Sequence, residues 1–147
     1  MTDFIEQRII NAVRELLTGR VNDLLGKMEI AIPIIEFGDF GSGYAVSPKI
    51  ELTSCERTEK ERVIRLDAYR LTITFNLPDT PESEVHCFAY SGAISSAVND
   101  DPTLGGDADR AVITEKKYTA PKKLHCGEGW GLAISLRVTI DTVINEQ

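Results

Sequence analysis

Two His-Cys dipeptides, His86-Cys87 and His125-Cys126, are the residues of this sequence whose types could do chemistry. Thiolate and imidazole are preferred zinc ligands, and a neighbouring histidine can activate a thiol for nucleophilic attack. However, adjacent residues on a helix project about 100° apart, and no C-x-x-C or H-x-x-x-H spacing accompanies either dipeptide. We therefore expect no metal, no cofactor and no catalytic site here, and we do not expect an enzyme.

A second set of chemical candidates is the acidic run that contains Asp100, Asp101, Asp107 and Asp109. A calcium loop needs alternating oxygen ligands and a closing glutamate at about its twelfth position, and the proline at position 102 breaks that alternation. Aspartate also stabilises turns and caps. We therefore expect these acids to be structural.

The middle of the acidic run predicts a sharp turn between a helix and a strand. Proline disfavours helical backbone in the residue before it and has no N–H to donate, so a preceding helix must end there. Paired glycines then allow positive φ angles. We assign no catalytic, cofactor or metal role to this structural turn motif, which consists of Asp101, Pro102, Thr103, Leu104, Gly105 and Gly106.

The size of the chain predicts one domain over residues 1–147, because folds of about 100–150 residues bury a single adequate core. Crossing a bilayer takes about 20 consecutive apolar residues, and no apolar run approaches that length. The first six residues carry acids before any base and lack the apolar centre of a signal peptide. We expect no membrane partner and a cytoplasmic location.

The excess of acidic over basic residues limits the kinds of partner that we expect. A net charge of −7 argues against specific nucleic-acid binding, which relies on clustered lysine and arginine. The short clusters Lys116-Lys117 and Lys122-Lys123 are interpreted as solvated surface.

The three cysteines are an odd number and lie far apart, so we expect free thiols in a reducing compartment.

Apolar spacing predicts a helix and two strands in the N-terminal half. Asp3 and Glu6 resemble a capping box ahead of an amphipathic helix that ends near Gly19, with a further turn over residues 21–25. The isoleucine-rich segment that follows, residues 28–37, contains a proline, which predicts an edge strand or a broken one. The next strand is half exposed and is expected over residues 46–60.

The C-terminal half predicts three strands and a second helix. Alternation of apolar and polar residues predicts strands over residues 69–77, 108–118 and 130–140. After the first of these strands, Thr80 is expected to cap a helix that has Pro81 at its first position and runs to about Val98. The residues expected to share its packing face are Val85, Phe88, Ala89, Ala93 and Ala97.

This order of elements predicts an α+β fold. We expect a mainly antiparallel sheet of about four or five strands, with the two main helices packed on one face. Within it, Ile34, Ile35 and Phe37 are expected to form a plain core strand. The alternative is an exposed edge that a neighbouring subunit covers.

The turn motif, placed after a helix and before two strands in an acidic chain of this length, resembles the tail-terminator (tail-completion) proteins of long-tailed phages and prophages. The similarity also touches residues 55–58, the strand over residues 71–77, and residues 127–130, and so spans most of residues 50–140. Residues 28–43 offer no motif of the family. Only the turn motif is carried over as a structural feature, because the function that the family implies has no catalytic residues.

This resemblance implies a subunit of a hexameric ring at the head-proximal end of the tail tube. Such a ring stops tube polymerisation and presents a surface for head attachment. The implied partners are further copies of the chain, the tail tube protein and a head-completion or connector protein, and the implied location is the host cytoplasm and then the virion tail. DNA would pass through the ring without specific binding, because a negative lumen repels it.

Two alternatives from other classes stay open at this point. The first is a small cytoplasmic thiol-dependent enzyme that uses Cys126 or Cys87 with a histidine. The second is a ligand-binding α+β module.

Overall fold

The computed structural model describes residues 4–37, 45–59, 64–121 and 129–143. The helices are α1 (Ile5–Leu16), a π-helical turn (Leu17–Val21), α2 (Asn22–Gly26) and α3 (Ser83–Asp100). The strands are β1 (Ile34–Ile35), β2 (Ala45–Val46), β3 (Lys49–Glu59), β4 (Ile64–Leu77), β5 (Arg110–Thr119) and β6 (Trp130–Val143).

The main sheet has four antiparallel strands in the order β3-β4-β6-β5. Successive residues of a strand point to opposite faces, and the two central strands bury one face each, with Leu71 opposite Leu136 and Ile73 opposite Ile134. The helices pack on this apolar face, whereas the other face carries polar groups such as Thr72. The α+β class with a mainly antiparallel sheet is therefore confirmed.

The N-terminal helical segment continues to Gly26, which confirms the further turn expected over residues 21–25. The expected end near Gly19 is wrong, because α1 continues through the π-helical turn into α2. The buried residues of this segment recur every four positions, and in an ordinary α-helix such a row moves gradually around the helix. The wider π-helical turn returns the later residues to the side that faces the sheet. This buried stripe consists of Ile9, Val13, Leu17, Val21 and Leu25. Asp3 of the expected capping box lies outside the described residues.

The isoleucine-rich segment forms only a short strand. Ile34 and Ile35 pair with β2 in parallel, and the proline at position 33 has no N–H to extend the ladder. Asn22 anchors the strand from α2, since its Nδ2 donates to Ile35 O at 2.8 Å and its Oδ1 accepts from Ile35 N at 2.8 Å. The prediction of a plain core strand is correct for Ile35, which is buried, and wrong for Ile34, which is 42% exposed. It is also wrong for Phe37, which lies after the end of β1 and is only partly buried.

Helix α3 begins later than expected. Pro81 lies in a turn ahead of the helix, and the expected cap residue Thr80 instead bonds Ser83 through the two hydroxyl oxygens, 2.8 Å apart. The buried arc of α3 also differs, because Val85 and Phe88 are exposed whereas Ala89, Ala93 and Ala97 are buried. The helix packs against both the sheet and the N-terminal helical segment, which turns the predicted face partly outward.

Tyr90 of α3 fixes the helix on the sheet. Its ring stacks on Phe75 of β4 with centroids 4.7 Å apart, and both side chains are fully buried. Its hydroxyl donates to Pro33 O at 2.6 Å. One side chain therefore joins the sheet, α3 and the segment that precedes β1.

Candidate functional site

The turn motif lies between the end of α3 and the start of β5. The Asp101 carboxylate accepts a hydrogen bond from the Thr103 hydroxyl at 2.9 Å and another from the Gly105 N–H at 2.7 Å. Three successive residues have positive φ, namely Leu104 at 52°, Gly105 at 72° and Gly106 at 95°. Leucine rarely adopts this conformation, and the burial of the Leu104 side chain in the core offsets the cost.

Backbone hydrogen bonds join the turn to the sheet. Pro102 O accepts from Ala111 N at 2.6 Å, so the turn lies against the start of β5. Asp109 bonds β6 twice, because its N–H donates to Thr139 O at 2.9 Å and its carboxylate accepts from Asp141 N at 2.6 Å. Hydrogen bonds thus hold the turn against β5 and β6.

The remaining acids of the run contact the N-terminal helical segment. Asp107 lies 3.3 Å from the Arg8 guanidinium, and Asp100 lies 3.1 Å from that of Arg20. All four side chains are largely exposed, so each pair contributes only about 0–1 kcal/mol to stability. Each acid of the run therefore has a contact within the chain. No group of three or more potential metal-binding side chains occurs in the part of the chain that the structure describes.

His86 and Cys87 have separate structural environments. The His86 Nε2 donates to Ala31 O at 3.0 Å, because a carbonyl oxygen can only accept. Burial raises the pKa of the Cys87 thiol, and the Glu84 carboxylate raises it further. A nucleophilic cysteine needs the opposite shift, toward thiolate at neutral pH. The second dipeptide, His125-Cys126, lies outside the described residues.

Cys55 is the exposed one of the two described cysteines. It lies opposite Tyr69 in the β3–β4 ladder, and Tyr69 is buried. Burial raises the pKa of Tyr69 to about 12, with smaller contributions from Cys55 and Glu6. This phenol therefore keeps its proton at alkaline pH values at which an exposed tyrosine ionises.

Asp67 on β4 is a buried acid that is not among the residues singled out from the sequence. Asp67 is 1% exposed, and its Oδ1 lies 3.2 Å from Arg57 Nε and 3.5 Å from Arg65 Nε. Tyr69 faces inward, and because side chains alternate along a strand, Asp67 two residues earlier faces inward as well. This alternation is the sequence signal for the burial of Asp67. The two cations compensate the buried charge, and Arg57, which lies opposite Asp67 on β3, joins the two strands near the end of the ladder.

The structure also has a cavity of about 500 Å³ between the end of β4 and the start of α3. Pro33, Val46 and Leu77 contribute its apolar lining. Its hydroxyls and imidazole are already hydrogen-bonded within the protein, Thr80 to Ser83 and His86 to a backbone carbonyl. The cavity therefore has the size of a ligand pocket, but these polar groups are engaged.

Comparison with known proteins found no protein-family model and no curated protein that matches this sequence. The candidate site is therefore defined by its own geometry.

Loss of the Asp101 carboxylate should destabilise the turn. We expect Asp101→Ala to lower the free energy of unfolding by about 1–2 kcal/mol, because a backbone N–H and a hydroxyl lose their acceptor. Asp100→Ala is the matched control, since it removes only an exposed ion pair and should cost about 0.5 kcal/mol or less. Urea unfolding measures both, and equal losses would contradict this account.

The two described cysteines should differ in reactivity. In a Cys126→Ser background at neutral pH, we expect iodoacetamide to alkylate Cys55 readily and to leave Cys87 unmodified until the protein unfolds. Mass spectrometry of peptides after timed alkylation measures both rates. Alkylation of native Cys87 as fast as that of Cys55 would contradict its assignment as a buried, protonated thiol.

Proposed function

We propose that this chain is a structural subunit of the tail-terminator type, which caps a phage or prophage tail tube and joins it to the head. It acts by self-association and docking and performs no catalytic step. Its place is the cytoplasm of the host cell and then the virion tail. No helix among the described residues is long and apolar enough to cross a membrane.

The observation that supports the proposal is the position of the turn motif. The resemblance places this motif after a helix and ahead of two strands, and α3 leads through it into β5 and β6. The motif is rigid, because Asp101 closes it and Leu104 anchors it in the core. A rigid connection between the helical layer and an outer strand gives an assembling subunit a fixed surface.

The acidic charge supports a passage for DNA and not a binding site for it. With a net charge of −7, the chain repels a phosphate backbone unless its cations cluster toward the lumen. In a ring, we expect the acids to outnumber the bases on the inner wall. A ring with a basic channel would contradict this part of the proposal.

The test is tube assembly in vitro. The tail tube protein encoded with this chain is polymerised with and without the purified protein, and tube lengths are measured by electron microscopy. We expect shorter tubes that carry added density at one end, because capping removes growing ends.

The control is a tube protein from an unrelated phage, whose lengths should not change. Cognate tubes of unchanged length with bare ends would contradict the proposed function.

A further inference from the structure

The cavity between the end of β4 and the start of α3 has no role in the proposed assembly. Its volume of about 500 Å³ lies within the range of small-molecule pockets, which is about 300–1,000 Å³. Apolar side chains from the segment before β1, from β2 and from the end of β4 form most of its wall: Ala31, Pro33, Ala45, Val46, Leu77 and Pro78. This wall suits a ligand with an apolar body.

Two hydrogen-bond acceptors of the wall are free to bind a ligand. The Glu82 carboxylate has no ion pair and no hydrogen bond within the described ranges. His86 Nε2 donates to Ala31 O, so Nδ1 of the neutral ring carries no proton and accepts. Glu82 and His86 are four residues apart at the start of α3, which places both side chains on one face. The polar part of the cavity therefore favours a ligand that donates hydrogen bonds.

The three segments that form the wall carry acids and no lysine or arginine. They are residues 29–36, 45–48 and 76–86, and their charged side chains are Glu29, Glu36, Asp79, Glu82 and Glu84. A cluster of one sign in low-dielectric surroundings attracts ligands of the opposite sign. The charge of these segments therefore favours a cation.

The positive charges nearest to these segments do not cancel this preference. Lys27 and Lys49 lie just outside them in the sequence, and Lys49 Nζ pairs with Glu51 at 3.1 Å. The N-terminal end of the α3 dipole is equivalent to about half a positive charge. The two full charges of Glu82 and Glu84 at that end outweigh it.

We propose that this cavity binds an aliphatic primary amine, with the ammonium group at Glu82 and His86 and the chain along the apolar wall. A primary ammonium has three N–H donors, which match a carboxylate and an imidazole nitrogen. A quaternary ammonium has no donor and is typically held by aromatic rings, and the described wall contains no phenylalanine, tyrosine or tryptophan. The inference goes beyond the proposed function and does not rest on it.

Nuclear magnetic resonance of the full chain with hexylamine at neutral pH is the first test. We expect saturable shifts centred on the backbone amides of Val46, Leu77 and His86, because these residues line the cavity. Hexanol has the same chain without the charge and should bind at least about fivefold more weakly. Hexanoate carries the opposite charge and should cause no saturable shift.

Two acids of the same segment provide a matched pair of variants. Glu82→Gln should weaken hexylamine binding by about fivefold or more, because the ammonium loses its charged acceptor. Glu84→Gln removes the same charge two residues away, from an exposed side chain that does not line the cavity. Since solvent and salt screen this second charge, its loss should change the affinity by less than about twofold.

A third variant tests the position of the apolar chain. Ala31 lies outside the helices and strands, and its only hydrogen bond in the described ranges uses its carbonyl oxygen. Ala31→Leu should therefore leave the protein folded, which circular dichroism checks. The larger side chain takes up space in the cavity, so hexylamine binding should fall by about tenfold or more.

Four results would overturn the inference: hexylamine shifts that do not saturate or that lie away from the cavity, hexanol that binds as tightly as hexylamine, equal effects of Glu82→Gln and Glu84→Gln, or a folded Ala31→Leu variant with unchanged affinity. Binding is measured on the chain alone. Failure to bind the amine therefore leaves the proposed function standing, and failure to cap tubes leaves the amine site standing.

Discussion

The stack of Tyr90 on Phe75 is the interaction on which the other features of this protein depend. It sets α3 on the sheet at a centroid distance of 4.7 Å, and the Tyr90 hydroxyl holds the segment before β1 at Pro33. Removing a fully buried aromatic side chain typically costs about 3–5 kcal/mol, a large part of the stability of a small domain. With α3 fixed, its two flanks and its C-terminal turn are fixed as well.

The turn after α3 connects the fixed helix to β5 and β6 of the sheet. Asp101 closes the turn with its own carboxylate, the Leu104 side chain anchors the turn in the core, and Asp109 joins the residues after the turn to β6. The acids that first suggest ion binding are thus used for chain geometry, in line with the preference of aspartate for turns and caps. A chain built in this way presents its outer surfaces in fixed positions, as the proposed assembly requires.

Much of the fold could be predicted from local pattern, because alternation reports which face of a strand is buried. Leu71 and Ile73 of β4 show this clearly, and Pro102 marks the turn. Contacts between distant segments could not be predicted. The exposure of Phe88 depends on how α3 rotates between the sheet and the N-terminal helix, and the ion pair that compensates Asp67 depends on Arg57 of the neighbouring strand. The hydrogen bond from His86 to Ala31 O likewise has no local signal.

The central claim is that this protein works by assembling with further copies of itself, as the proposed terminator ring requires. Native mass spectrometry of the purified wild-type chain tests it most directly, because the number of copies is read from the mass. We predict one dominant species that contains more than two copies of the 16.2 kDa chain, as a closed ring of identical subunits requires. A spectrum that contains only the monomer, or only a two-copy species, would contradict the claim.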